Sequence, residues 1–328
     1  MTEFSRRRFI AWSAIALAGA NPAAVFAQSD DYPARTIHLV IPNTVGGTSD
    51  ILARLIGARL SDALAQPVVV ESRPGAAGRI ALEYMAKAAP DGYTILLGNN
   101  GTNAIVPSAQ GHDVADDPPL VPVIKLASLA IVIAATPRLG VTSLDDAMKR
   151  ARIASNSLAY ASSGIGSTSH MAAALLCQRA GIKMLQIPYA GTASAVKDVL
   201  AGEVPLIFTH LATVATLIRA GQLRALAVTG LHRVAAFPDI PTVAESGFPD
   251  FDVVTWHGVL LPPGTPREIV LRLHRELSRI LAMDDLRAQL ASMGMEPLGG
   301  TPEDFAADIK ADRQHWATVI RDAGLPTR

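Results

Sequence analysis

The residue types most suited to chemistry in this chain form a run of glycines and hydroxyl-bearing residues at positions 43–50. Gly46 and Gly47 allow the backbone to approach a ligand, and the Thr48-Ser49 pair that follows is typical of a helix start. Free amides at a helix start, with the aligned peptide dipoles behind them, favour a carboxylate or a phosphate. The run therefore predicts an anion-binding corner, although many such turns only redirect the chain. The predicted contacts are Asn43, Thr44, Gly46, Gly47, Thr48, Ser49 and Asp50.

A second run, at residues 160–170, repeats this pattern. Gly164 and Gly166 precede Ser167, so an apolar stretch again meets glycines and a hydroxyl-rich helix start. In open α/β sheets, ligands bind outside the carboxyl ends of the strands. Two such corners in successive α/β units therefore predict one cleft between facing helix ends. The contacts predicted from this corner are Ser162, Ser163, Ser167, Thr168 and His170.

Three further polar clusters follow predicted strands, at residues 99–103, 187–192 and 209–213. A cluster at such a position adds backbone amides and hydroxyl groups to the same edge of the sheet. Tyr189 is equally typical of a packed tyrosine with a satisfied hydroxyl, and the histidines at positions 210 and 257 are typical of lining or core residues. The contacts predicted from these clusters are Asn99, Thr102, Tyr189, Gly191, Thr192 and Thr209.

Catalysis is the main alternative from another class of protein. Ser167, His170 and Asp50 are residue types found in acyl-transfer sites, but Ser167 and His170 lie three positions apart on one predicted helix start, and no Gly-x-Ser-x-Gly elbow is present. The spacing of histidines and carboxylates gives no metal-ligand set. The first corner also lacks the third glycine of a dinucleotide fingerprint. We therefore expect no enzyme activity, no cofactor and no metal.

Alternating strands and helices must position these corners. The alternation predicts parallel strands joined by right-handed crossovers, with helices on both faces of the sheet. Two long apolar strands, 127–135 and 253–261, would cross between two α/β domains and form a hinge that allows closure around a ligand. The predicted domains are residues 28–130 together with 258–328, and residues 131–257. Other strands are predicted at residues 36–41, 66–71, 93–98, 158–161, 184–187, 205–208 and 224–229, and helices at 80–89, 143–152, 167–180, 192–201, 212–220, 266–283, 285–293 and 302–323.

The amino terminus has the pattern of an export signal. Three arginines at positions 6–8 precede an apolar run at residues 9–20 and small residues around Ala27. The apolar run is shorter than the roughly 20 residues that a membrane-spanning helix needs. The pattern predicts a twin-arginine signal peptide at residues 1–27, cleaved after Ala27, and hence a periplasmic protein.

The charge and the cysteine content of the chain limit which partners and which stabilising bonds are expected. The formal net charge is 0 and becomes −2 when the leader takes away three arginines and one glutamate, and the charges form no cluster of either sign. Nucleic acid is therefore not an expected partner. Cys177 is the only cysteine, so we expect no intramolecular disulfide, and stability must come from the core that a 49% apolar composition can build.

From Tyr32 onward, nearly the whole chain resembles the Bug receptors, the extracytoplasmic solute receptors of tripartite tricarboxylate transporters. The matching motifs lie at residues 50–54, 66–76, 90–94, 160–164, 166–167, 170, 188–189, 191, 202, 223–229, 238–245 and 264–266. The resemblance implies a periplasmic binding protein-like α/β fold, whose two domains close on a small organic acid and deliver it to membrane permease subunits. It also implies that the first two corners hold the ligand carboxylate through amides, hydroxyls and bridging water, with Asp50 organising its loop.

The chain departs from the family pattern at the cleft. Residues 43–45 are Asn-Thr-Val where the family usually has Phe and two prolines, and Thr209 stands where Asp is usual. The missing carboxylate disfavours an amine-bearing acid, and the polar loop favours extra hydroxyl or carboxylate groups on the ligand. A Tyr-Asp motif usual in the family is absent around residues 110–119. The acid itself stays open, as does the alternative that the receptor presents its ligand to a membrane sensor such as a sensor kinase ectodomain.

Overall fold

The computed structural model of the chain describes residues 32–109, 120–153 and 158–322. The leader predicted at residues 1–27, its cleavage site and the segment at residues 110–119 lie outside these ranges. Within the described ranges, none of the helices is both long and apolar enough to cross a membrane.

The described residues alternate between strands and helices, as predicted. The strands are β1 (Ile37–Ile41), β2 (Val68–Ser72), β3 (Thr94–Asn99), β4 (Val121–Ala135), β5 (Ala159–Ser162), β6 (Leu185–Pro188), β7 (Leu206–His210), β8 (Arg224–Val228), β9 (Val254–Leu261) and β10 (Met295–Gly299). The helices are α1 (Thr48–Leu64), α2 (Arg79–Lys87), α3 (Val106–Ala109), α4 (Leu144–Ile153), α5 (Thr168–Ala180), α6 (Thr192–Ala201), α7 (Leu211–Arg219), α8 (Arg267–Leu281), α9 (Asp284–Ser292) and α10 (Pro302–Asp322). Most predicted elements are therefore confirmed to within a few residues.

One sheet runs through the described residues in the order β2-β1-β3-β9-β4-β7-β5-β6, with β8 and β10 also paired to β4. The predicted parallel units are confirmed, since β1 pairs in parallel with β2 and β3, and β5 with β6 and β7. The long strand β4 connects them. Its residues 121–130 pair antiparallel with β9, and its residues 131–135 pair antiparallel with β7 and β8. The ladder partners of β4 thus change at residue 130, and the division into two domains stays a prediction.

Apolar side chains cover both parts of this sheet. Around β1, β3 and β9, a buried cluster includes Trp256 and Phe305 in an edge-to-face contact with centroids 5.0 Å apart. Around β5 and β7, Phe208 packs against Tyr160 at 5.2 Å. The last helix, α10, joins the two clusters, because its Phe305 belongs to the first and its Trp316 to the second. Residues 258–328 were predicted to belong to the first domain, and within them α10 packs against both clusters.

Four local predictions were incomplete or wrong. The strand predicted at residues 127–135 begins at Val121, because β9 continues to pair with it. Residues 101–105 form a π-helical turn instead of a loop, and β10 was not predicted. Thr209 and His210 were expected in a loop, but they belong to β7, because the antiparallel ladder with β4 extends through both. Alternation along β7 therefore sends these two side chains to opposite faces.

Candidate functional site

A cavity of about 720 Å³ opens where β1, β5 and β6 end and the helices that follow them begin. Its size is in the range of small-molecule sites. The lining residues that were predicted are Asn43, Thr44, Gly47, Thr48, Ser49, Asn99, Thr102, Ser163, Ser167, Thr168, Tyr189, Gly191 and Thr192. The lining residues that were not predicted as contacts are Pro42, Pro74, Gly75, Ala76, Ala77, Gly78, Gly101, Val106, Gly164, Ile165, Gly166, Pro188, Ala190, His210, Thr255 and His257.

The first corner is a glycine turn that leads directly into α1. Gly46 has a φ of 84°, a left-handed conformation that favours glycine, and Gly47 is the N-cap with no side-chain cap on the helix. The Gly46 amide donates to Asp50 Oδ2 at 3.0 Å, while the Arg54 guanidinium lies 2.9 Å from the other carboxylate oxygen. Asp50 therefore holds the turn together from behind and leaves the amides of the first helical turn for another acceptor.

The charge state of Asp50 follows from these partners. Desolvation alone would raise its pKa, but the hydrogen bonds from Arg54 and the Gly46 amide outweigh burial and hold the pKa below its usual value. The carboxylate is therefore ionised at neutral pH. The side chain is buried and does not line the cavity, so its charge is directed at the loop and at Arg54.

A polar network backs the first corner. Ser49 Oγ donates to Asn43 Oδ1 at 2.8 Å and lies 3.0 Å from His257 Nε2. Asn99 Nδ2 donates to the same Asn43 oxygen at 3.3 Å. The network joins the loop after β1 to β3 and to the middle of β9, so sheet pairing positions the loop side chains.

The second corner is capped differently. Ser167 is the N-cap of α5, and its hydroxyl accepts the His170 amide at 3.2 Å and donates to the Gly164 carbonyl at 2.7 Å. The Gly166 amide donates to His170 Nδ1 at 3.2 Å. Burial lowers the pKa of His170 to about 4, so this imidazole is neutral and accepts at Nδ1. His170 therefore shapes the turn from behind the cavity wall, in the same way as Asp50.

A third helix start reaches the cavity from the loop after β6. Gly191 is the N-cap of α6, again without a side-chain cap. A Cβ atom at Gly191 would lie 2.2 Å from Thr44 Oγ1, so the loops that begin α1 and α6 are in close contact. Tyr189 lines the cavity, but its hydroxyl donates to Asp198 Oδ2 at 2.8 Å. The starts of α1, α5 and α6 thus surround one space.

Two histidines, His210 and His257, form a further part of the cavity wall, and His257 lies beside the start of α1. His210 Nε2 lies 2.9 Å from Thr255 Oγ1, and the rings of His210 and His257 meet edge to face at 6.0 Å. Burial lowers the pKa of His210 to about 4; burial and the neighbouring His210 lower that of His257 to about 3. Both rings are therefore neutral at physiological pH and add no positive charge to the site.

A left-handed turn after β2 forms another wall. Ala76 and Ala77 have φ values of 46° and 54°, a conformation that non-glycine residues seldom adopt and that costs on the order of 1–3 kcal/mol each. Gly78 follows with a φ of 96°, and a Cβ atom there would lie 2.2 Å from Thr102 Cγ2. Strain of this kind persists where the surrounding structure fixes it, which makes this turn a rigid side of the cavity.

The described lining of the cavity is uncharged. Among the described residues that line the cavity, none is an Asp, Glu, Lys or Arg. In the described part of the chain, no group of three or more His, Cys, Asp or Glu side chains could hold a metal ion. An anion in the cavity would thus meet only amides, hydroxyls, neutral imidazoles and apolar atoms.

Five predicted contacts do not lie on the cavity wall: Gly46, Asp50, Ser162, His170 and Thr209. Ser162 is buried and accepts a hydrogen bond from Gln186 Nε2 at 2.9 Å. Thr209 points away from the side of β7 that carries His210, and its hydroxyl is buried without a hydrogen-bond partner among the described residues. Direct contact of these five residues with a ligand stays a prediction.

Residues of β9 and of the turn at residues 74–78 line the cavity but were not among the predicted contacts. The predicted contacts lie at strand-to-helix turns, whereas Thr255 and His257 lie within a strand and reach the cavity through sheet pairing; of these two, only His257 was expected as a lining or core residue. A signal for the turn was available, since Pro74-Gly75 and Gly78 are turn-forming residues directly after a strand.

Comparison with known proteins identifies related receptors, whose family is consistent with a ligand cavity at the helix starts. The family model of the tripartite tricarboxylate transporter family receptor matches residues 52–325. BugT of Bordetella pertussis (strain Tohama I / ATCC BAA-589 / NCTC 13251) is 35% identical over 322 residues, which cover 97% of this chain and 98% of BugT.

Solved structures show the same fold. The periplasmic binding protein BugD superposes with a TM-score of 0.84 at 32% identity, covering 90% of this chain and 99% of BugD. Rpa4515 of R. palustris, solved with adipate, has a TM-score of 0.84 at 36% identity, covering 89% and 98%. MatC (Rpa3494) of Rhodopseudomonas palustris, solved with bound malate, has a TM-score of 0.82 at 29% identity, covering 88% and 100%.

The fold and the cavity are thus those of a periplasmic solute-binding protein. More narrowly, the chain belongs to the tripartite tricarboxylate transporter family of receptors, as the resemblance to Bug receptors predicted.

Proposed function

We propose that this receptor captures a small organic acid in the cavity and holds its carboxylate with the helix starts of α1, α5 and α6. The observation that carries the proposal is that three helix amino termini open on one cavity whose lining residues carry no charged side chain. Helix dipoles and first-turn amides favour an anion there. The adipate and malate found in Rpa4515 and MatC are carboxylates as well, which supports the same ligand class.

Magnitudes support a small acid held without an arginine. A helix terminus contributes about 0.3–1 kcal/mol and up to about 2 kcal/mol when partly buried. A hydrogen bond to a charged group adds about 1.5–3 kcal/mol. Micromolar affinity requires about 8 kcal/mol net of the cost of association. Three helix starts together with the hydroxyls on the cavity wall supply a sum of that order.

Closure of the cavity would involve contacts between the two parts of the sheet. Thr168 Oγ1 donates to Asn100 Oδ1 at 3.1 Å, and Thr48 Oγ1 lies 3.0 Å from Thr213 Oγ1. Each pair joins a residue of the β1–β3 part to one of the β5–β7 part. We infer that these two parts are the predicted domains, hinged through β4 and β9, and that these contacts belong to the closed form.

Catalysis has no support in this geometry. The Ser167 hydroxyl donates to the Gly164 carbonyl and not to a base, and Nδ1 of His170 is occupied by the Gly166 amide. We infer a binding role without chemistry and, from the family, delivery to membrane permease subunits of the transporter. Export by the twin-arginine route remains part of this proposal. No observation favours delivery to a sensor kinase.

A ligand panel tests this function. The chain from Gln28 onward, unfolded and refolded to remove carried-over ligand, would be screened by thermal shift against mono-, di- and tricarboxylates, sugars, amines and nucleotides. A ligand at 100 times its dissociation constant adds about 2.7 kcal/mol to stability, which raises Tm by several degrees. A selective rise with carboxylates is expected. A rise only with a sugar, an amine or a nucleotide would refute carboxylate capture.

A further inference from the structure

The orientation of the Asn43 amide is fixed by a chain of hydrogen bonds. It starts at the backbone amide of Thr102, which can only donate and which lies 3.1 Å from Asn99 Oδ1. The Asn99 amide nitrogen, Nδ2, must therefore face Asn43. Because Nδ2 is a donor, the Asn43 atom that lies 3.3 Å from it must be the acceptor, Oδ1. The Asn43 NH2 group is consequently turned away from Asn99.

Ser49 and His257 reinforce this orientation. Since Asn43 presents its oxygen, Ser49 gives its hydroxyl proton to Asn43, at 2.8 Å. The Ser49 oxygen can then only accept from His257, so Nε2 of His257 carries the proton, at 3.0 Å. His257 Nδ1 is then an acceptor, and it is buried without a partner among the described residues. A neutral His257 fits this tautomer.

The Asn43 NH2 group has no hydrogen-bond partner among the described residues. Asn43 is solvent-exposed and lines the cavity, so this group is accessible to a ligand. Two N–H donors are thus held in a fixed direction beside the start of α1. A carboxylate offers about four acceptor positions. The first-turn amides of α1, α5 and α6 alone can occupy that number, so a single carboxylate leaves the Asn43 donors unpaired.

We propose that Asn43 is a specificity-determining residue, whose NH2 group binds an oxygen that a simple alkanoate lacks: a second carboxylate, a hydroxyl or an oxo group. His257 acts as a positioning residue, because its hydrogen bond to Ser49 helps to orient Asn43. This inference rests on the proposed carboxylate function and deepens it. Asn43 selects acids with a second oxygen-bearing group over alkyl or aryl monocarboxylates.

The test compares acids of equal length. Dissociation constants for adipate and hexanoate, and for malate and butyrate, would be measured by calorimetry for the wild type and for Asn43→Leu and Asn43→Asp. We expect the wild type to prefer the oxygen-rich acid of a pair, and both variants to lower that preference about 10- to 100-fold, the range of a hydrogen bond to a charged oxygen. Asn43→Asp keeps an oxygen for Ser49 and Asn99 but adds a negative charge that itself disfavours a dicarboxylate, so the uncharged Asn43→Leu variant is the one that reports the missing NH2 group.

His257 is tested by a double-mutant cycle. His257→Phe removes the donor to Ser49 and should lower the preference in the same direction, whereas His257→Gln, which retains an N–H donor, should restore part of it. In the Asn43→Leu background, His257→Phe should leave the preference unchanged. A merely structural effect would instead weaken both acids of a pair equally. Val45→Ala is the matched control, because Val45 is in the same loop, 59% exposed and not on the cavity wall.

The outcomes separate the two proposals. If the Asn43 variants bind both acids of each pair with an unchanged ratio, the specificity role is refuted while carboxylate capture stands. If the wild type binds no carboxylate of the panel, the proposed function is refuted and this inference falls with it.

Discussion

The contact between Gly191 and Thr44 allows a direct test of whether the cavity must close to bind. Gly191 has a φ of −170° and a ψ of 161°, an extended conformation that alanine adopts without strain. The added methyl group of Gly191→Ala would lie 2.2 Å from Thr44 Oγ1, 3.3 Å from its Cβ and 3.4 Å from its Cγ2. The variant therefore perturbs the approach of the two loops without straining the backbone at Gly191.

The size of the effect follows from how Thr44 can respond. Rotation about its χ1 moves the hydroxyl away, but the Cβ contact remains tight, so the loops must shift by a few tenths of an ångström. Overpacking of this kind costs about 1–3 kcal/mol. If binding requires this contact, affinity should fall about 5- to 150-fold, since 1.4 kcal/mol corresponds to a factor of ten.

Calorimetry with the best carboxylate of the panel would measure this loss, and thermal unfolding of the ligand-free protein would show whether the fold is retained. Adding Thr44→Ala should recover part of the affinity, because it removes Oγ1 and Cγ2 but leaves the Cβ contact at 3.3 Å. Gly57→Ala in α1 is the control, since its Cβ would meet only atoms 3.5 Å or more away. Wild-type affinity in Gly191→Ala would show that the two loops need not touch in the bound state.

Three further outcomes concern the helix starts. Ser167→Ala removes the cap on the His170 amide and should lower the free energy of unfolding by about 0.5–2 kcal/mol, measured with urea. His170 has a pKa of about 4 when folded and about 6.5 when unfolded, so the unfolded chain binds more protons between these values and stability falls as pH falls. His170→Asn keeps an acceptor for Gly166, and should reduce the loss of stability between pH 7 and pH 5 by about 2 kcal/mol. Asp50→Asn keeps an acceptor for Gly46 and removes a negative charge, so calorimetry should show carboxylate affinity unchanged or up to about fivefold tighter.

Each of these expectations has a result that contradicts it. An unchanged urea midpoint in Ser167→Ala would mean that α5 does not depend on its cap. Equal pH slopes for the wild type and His170→Asn would show that His170 is protonated alike in both states. A large loss of affinity in Asp50→Asn, with the fold retained, would indicate that the carboxylate itself contacts the ligand through a bound cation or a donor group.

Local sequence signals were sufficient for the three helix starts. Gly46 and Gly164 are positions where the chain needs positive φ, a requirement that the local turn sets. Gly191 directly precedes a helix start and is recognisable locally, although its close approach is to the distant Thr44. The apolar strands before the first two corners, β1 and β5, were also recognisable because most of their residues are buried. For this reason the corners at residues 43–50 and 162–170 could be predicted before any tertiary contact was known.

Which side chains of β7 and β9 face the cavity depends on pairing with strands that are distant in sequence, and this pairing could not be predicted. Whether Thr209 or His210 faces the cavity depends on the register of β7 against β4, where Thr209 pairs with Val132 and His210 with Ile131. A shift by one residue would exchange their faces. The position of His257 beside Asn99 likewise depends on the ladder between β9 and β3. No feature within either segment specifies these registers.

The uncharged wall of the cavity determines how binding responds to acidity. A site that held its anion with lysine or protonated histidine would gain or lose affinity as those groups titrate. Here the donors are mainly peptide amides, hydroxyls and a side-chain amide, and the imidazoles on the wall stay neutral down to about pH 4. Occupancy should therefore track only the fraction of the acid that is itself ionised, so that a carboxylic acid is held equally well throughout the neutral and mildly acidic range.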